Sequence, residues 1–133
     1  MRFSISMIAV VGVAQAGYQS GAVSTHEKFL YGKFVARMKA PDRKGTVASF
    51  FTYWDGPNFS PAGWNELDIE IVPSVEDNPF STNVIYGDGK QKEEEHEYLD
   101  YFDPHDEWHV YEMEWTPEYI SFTIDGREMR YLD

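Results

Sequence analysis

The chain of 133 residues has no cysteine, so disulfides and thiol chemistry are excluded. Positive charge is scarce: 11 Lys and Arg against 23 Asp and Glu leave a net charge of −12. Such a surface repels nucleic-acid phosphates and an anionic membrane, whereas a neutral polysaccharide is compatible with it. Helical periodicity is also lacking, as no stretch repeats its apolar residues every three to four positions. No run approaches the roughly 20 apolar residues that span a bilayer as a helix. The four histidines, His26, His96, His105 and His109, show no metal-ligand spacing, and no EF-hand-like loop occurs.

What the chain has in excess is aromatic side chains, at 17%, and short runs of period two broken by Gly, Pro, Asn and Asp. Both point to an all-β domain, and amphipathic rings also suit stacking on sugar faces. The alternation predicts a turn and short strand over Gly17–Thr25, then strands over Leu30–Met38, Thr46–Trp54, Trp64–Val72, Ser81–Tyr86, Trp108–Trp115, Tyr119–Ile124 and Arg127–Leu132. Leu30, Phe34, Ala36 and Met38 share the inward face of the first long strand. Asp125-Gly126 reads as a hairpin turn. The run Lys90–Glu97 (KQKEEEHE) reads as a solvated charged face or loop, and the Pro- and Gly-containing stretch Asp55–Gly63 as a loop long enough to be functional. Asn58-Phe59-Ser60 is a glycosylation sequon followed by Pro61. Residues 1–16 carry two readings: a minimal signal peptide ending Ala14-Gln15-Ala16, or a first strand in which Phe3, Ile5 and Met7 alternate with polar neighbours. Residues 17–133 form the remaining domain.

The sharpest local feature is Glu66-Leu67-Asp68-Ile69-Glu70. On a strand, Leu67, Ile69 and Ile71 enter the core while the three acids share the opposite face. Like charges so placed repel one another, and a local conflict of this kind is more often kept for function than for folding. Two carboxylates of this type serve a retaining glycosidase, one as nucleophile and one as proton donor. The intervening Asp68 charge separates their protonation states. The acids Glu93, Glu95 and Glu97 alternate too, but Glu94 and His96 between them give no apolar face.

The segments YQSGAVST, YGKFVARMKAP, GTVASFFTYW, WNELDIE, WHVYEMEWTPEYISF and IDG, in this order from Tyr18 to Gly126, resemble glycoside hydrolase family 16 and its licheninases in particular. The short form Glu-x-Asp-x-Glu is the form typical of licheninases and transglycosylases. The resemblance implies a jelly-roll β-sandwich of two antiparallel sheets, with Glu66 as nucleophile, Asp68 as auxiliary acid and Glu70 as general acid/base. It places Arg37, Phe51, Tyr53, Trp64 and Asn83 in the substrate cleft. Core packing is the rival role for Phe50, and Trp108, His109 and Trp115 read as framework. The implied activity is endo-hydrolysis of β-1,3-1,4-glucan by a secreted enzyme that is a monomer when complete. A transglycosylase, a β-1,3-glucanase and a non-catalytic glucan-binding protein are the alternatives. No cofactor is implied beyond a structural calcium held by backbone oxygens near the termini. A full domain of the family is longer, so the resemblance implies a partial catalytic domain, and the expectation is that the 133-residue chain alone folds poorly or self-associates.

Overall fold

The structure, a computed structural model, describes residues 20–54, 64–73, 80–86, 91–97 (backbone only) and 103–133. The chain divides into two units, Met1–Leu30 and Tyr31–Asp133. In the first, residues 20–30 are exposed and form no strand. The short strand expected within Gly17–Thr25 is therefore absent from residues 20–25, where Ser20, Gly21 and Ala22 offer little side chain to bury. Leu30, expected on an inward face, lies ahead of the first strand and is 70% exposed. The expected boundary after residue 16 falls outside the described residues, as do the loop Asp55–Gly63 and its sequon.

Among the described residues the second unit has eight strands: β1 Gly32–Met38, β2 Ala48–Trp54, β3 Asn65–Ile71, β4 Phe80–Tyr86, β5 Gln91–Glu97, β6 His109–Trp115, β7 Ile120–Ile124 and β8 Arg127–Leu132. They form two four-stranded antiparallel sheets, β1-β6-β7-β8 and β2-β3-β4-β5. Alternation along each strand decides what lies between the sheets. Leu67, Ile69 and Ile71 of β3 and Phe80 and Val84 of β4 pack in one buried cluster with Tyr111 and Met113 of β6 and Phe122 and Ile124 of β7. Phe34, Met38, Phe50 and Trp115 pack against this cluster. Arg130 of β8 ties the sheets together by donating from Nη1 to the carbonyl and hydroxyl oxygens of Thr82 on β4, at 3.3 and 3.2 Å.

The β7–β8 hairpin turns at Asp125 and Gly126, with φ of 49° and 80°. Positive φ at both positions matches the right-handed twist of the paired strands, and Gly126 adopts it without a Cβ clash. Asp125 also secures β6, accepting from the Val110 amide at 2.8 Å and from His109 Nδ1 at 2.6 Å. His109, itself buried, is thus a framework residue of the first sheet.

Strand pairing decides between the two forms expected of the charged run, a solvated face or a loop. Residues 91–97 form β5 rather than a loop, paired along their length with β4. The strand stands at the end of its sheet. Charged residues are poor strand formers on their own but are well suited to an edge, where they discourage pairing with another chain.

Candidate active site

The outer face of the second sheet is built from the positions of β2, β3 and β4 that alternate with the core residues. Three cross-strand rows result. Tyr53, Glu66 and Ile85 form one, Phe51, Asp68 and Asn83 the next, and Ser49, Glu70 and Ser81 the third. The acidic trio therefore runs along the middle of a sheet face, away from the core side occupied by Leu67, Ile69 and Ile71.

The three carboxylates have different surroundings. Glu66 is half-buried, and its Oε2 accepts a hydrogen bond from the Trp64 indole Nε1 at 2.8 Å. Asp68 is buried, at 5% exposure, between the strands that carry Phe51 and Asn83. Desolvation, followed by the Glu66 charge, pushes its carboxyl from 3.8 up to about 7. A hydrogen bond to Glu66 and the Glu70 charge act in the same direction, while a hydrogen bond from Asn83 opposes them. Asp68 thus retains its proton through the mildly acidic range and shares it with Glu66. Glu70 is half-buried and accepts from Asn83 Nδ2 at 3.2 Å.

Of the other residues singled out in the sequence, Phe51 and Tyr53 stand directly across from Asp68 and Glu66 and are 43% and 50% exposed. Trp64 is 38% exposed at the end of the trio. These rings offer apolar faces beside the acids, as a sugar-stacking surface requires. Asn83 also joins the trio, but it is buried and its side chain is directed at the carboxylates.

Arg37 does not join them. On β1 the inward positions are Phe34, Ala36 and Met38, which leaves Arg37 on the outer face of the first sheet, opposite in direction to the acidic face. There its guanidinium lies 5.3 Å from the centre of the Trp108 ring in a cation–π contact. The expected cleft role is corrected on this ground: alternation gives Arg37 an outer face, but that face belongs to the other sheet.

Ser81 was not singled out from the sequence. It is buried opposite Glu70, two positions before Asn83 on the same strand. Only the register of β3 against β4 reveals it, because a serine in STNVIY carries no signal of its own.

Among the described residues no group of three or more His, Asp or Glu side chains is arranged to hold a metal ion. The calcium that the resemblance implies near the termini falls in part on residues 1–19, outside the described residues.

Comparison with known proteins identifies the family. The sequence model of Glycosyl hydrolases family 16 matches residues 3–133. A beta-glucanase of Fibrobacter succinogenes is 37% identical over 122 residues, covering 89% of this chain and 34% of its own length. A probable xyloglucan endotransglucosylase/hydrolase protein 21 of Arabidopsis thaliana is 33% identical over 118 residues, covering 86% of this chain and 35% of its own. The crystal structure of a prokaryotic β-1,3-1,4-glucanase (lichenase) from a mouse hindgut metagenome superposes with a TM-score of 0.62 at 29% identity, over 95% of this chain and 58% of that one. The chain spans about a third of the length of the curated relatives it matches. Two antiparallel sheets in a jelly-roll sandwich, an acidic trio across the face of one of them, and a match over nearly every residue make the chain a member of glycosyl hydrolases family 16.

Proposed function

We propose that this chain carries the catalytic strand of an endo-acting, retaining β-glucanase whose substrate is mixed-linkage β-1,3-1,4-glucan. The observation that carries the reading is the division of labour on β3. One face holds three carboxylates, of which the central one is held protonated and the outer two are half-buried with different hydrogen-bond donors. Retention needs two carboxylates of unlike role flanking the scissile bond, one attacking the anomeric carbon opposite the departing oxygen and one protonating that oxygen.

The steps follow from the placement. Glu66 attacks the anomeric carbon while Glu70 delivers its proton to the departing glycosidic oxygen. The carbon–oxygen bond breaks and a glycosyl ester forms on Glu66. Glu70, now ionised, takes a proton from water as the water oxygen attacks the same carbon and releases Glu66. Asp68 donates its proton in a hydrogen bond to Glu66, which orients the nucleophile and lessens the repulsion along the strand. Tyr53, Phe51 and Trp64 hold sugar rings against the face by stacking. A polymeric substrate fits an extracellular, monomeric enzyme.

A transglycosylase is the second reading, favoured by the 33% identity to the Arabidopsis relative. It differs only in whether water or a sugar hydroxyl resolves the ester. A non-catalytic glucan-binding role gains no support from a site that has all three acids.

The test is hydrolysis of lichenan, laminarin and xyloglucan by the full-length gene product beside Glu66→Gln, with and without an oligosaccharide acceptor. Removal of the nucleophile is expected to lower kcat by about 1,000-fold or more. Retained hydrolysis would remove Glu66 from this role, inverted product stereochemistry would overturn the mechanism, and acceptor-dependent products would favour the transglycosylase.

A further inference from the structure

Asn83 sits on β4 directly opposite Asp68 and is only 4% exposed. Its amide nitrogen donates to Glu70 Oε2 at 3.2 Å and also hydrogen-bonds Asp68. The amide nitrogen is thereby turned toward the carboxylates of the trio. Its Oδ1 is sealed from solvent and has no hydrogen-bond partner among the described residues. An amide oxygen left buried and unsatisfied is costly, and a residue that tolerates the cost needs an explanation. Rotating the amide by half a turn would aim the oxygen at two carboxylates instead, which is worse. The amide is therefore held with nitrogen inward by the acids alone.

With its nitrogen on Glu70 and its oxygen sealed from solvent, the residue acts through the acids. Resting on the reading of the trio as a glycosidase site, we propose that Asn83 is a positioning residue that clamps Glu70 to Asp68 across the β3–β4 pair. It fixes the spacing of the acid/base from the protonated central acid and restrains how tightly the trio holds its protons. The other titratable groups on this face are Tyr53 on β2 and Glu66 on β3. On β5 the residues in register with Ser81, Asn83 and Ile85 are His96, Glu94 and Lys92.

The experiment compares wild type, Asn83→Leu and Asn83→Asp in the full-length gene product, measuring the pH dependence of kcat/KM on lichenan with thermal melting as a folding control. Leucine has nearly the shape of asparagine and donates nothing, while aspartate is isosteric and adds an acceptor. A hydrogen bond to a charged group corresponds to about one pH unit, so the ionisations of the trio are expected to move upward by about that amount in Leu and further in Asp. Should Leu fail to melt cooperatively, Asp alone carries the comparison. Profiles that keep their midpoints while activity falls equally at every pH would make Asn83 merely structural and overturn the proposal. A wild type that hydrolyses no glucan would overturn the glycosidase reading itself, and this inference with it.

Discussion

Replacing Asp68 with asparagine is expected to change how stability depends on pH. The folded carboxyl titrates at about 7 and the unfolded one at its ordinary 3.8. Between those values the folded chain holds a proton that the unfolded chain has released, so stability is greatest below the lower value and falls as pH rises through the upper one. Each pH unit inside that window corresponds to about 1.4 kcal/mol. Between about pH 5 and about pH 8 roughly two units are crossed, or about 3 kcal/mol, and screening at a face in contact with water reduces this toward about 1.5 kcal/mol. Asparagine has the shape of the protonated acid, donates to Glu66 as that acid does, and does not titrate. Urea unfolding of both proteins at the two pH values gives the difference directly. Near pH 5 the two are expected to be close in stability, and near pH 8 asparagine is expected to be the more stable by at least about 1 kcal/mol, a large part of an ordinary domain's total. A gap that is the same at both values would show that Asp68 is not held protonated. A gap of the opposite sign would mean that the fold favours the ionised form.

Two further outcomes separate the face of each sheet from the core. Arg37→Ala is expected to leave kcat/KM on glucan within about twofold of wild type, since Arg37 packs on Trp108 of the other sheet, and a loss of tenfold or more would return it to the cleft. Ile69→Ala empties a fully buried position between Asp68 and Glu70 and is expected to cost about 2–5 kcal/mol in urea unfolding, whereas a cost below about 1 kcal/mol would mean that β3 does not face the core as described.

Much of this was legible in the sequence because alternation is a local signal. Leu67, Ile69 and Ile71 point inward and Glu66, Asp68 and Glu70 outward, as period two requires. Phe51 and Tyr53, placed in the cleft by the resemblance, stand across from Asp68 and Glu66, while Phe50 packs against the core. What stayed illegible depends on pairing. A sandwich has two outer faces, and nothing within YGKFVARMK tells Arg37 to which of them β1 contributes. β5 carries no strand signal because six of its seven residues are charged or histidine, with no apolar face of its own, so its extended form comes from the backbone bonds that β4 offers. The resemblance singles out Asn83, but its burial opposite Asp68 and its bond to Glu70 emerge only with the register of β3 against β4.

The arrangement also explains how a strand tolerates three like charges. The core face of β3 is as apolar as any in the domain, with Ile69 and Ile71 wholly buried, and it holds the strand in place irrespective of what the other face carries. Repulsion along the outer face is met by local means. Asp68 keeps its proton, Trp64 donates to Glu66, and Asn83 donates to Glu70. Each of these devices treats one carboxylate differently from the next, so the measures that make the charges tolerable also make them chemically unlike. Three identical acids on a bare strand would titrate together and offer no distinct nucleophile and proton donor. On the proposed reading the folding problem and the catalytic requirement have one solution, in which neutral partners around the trio, rather than further charges, set its reactivity.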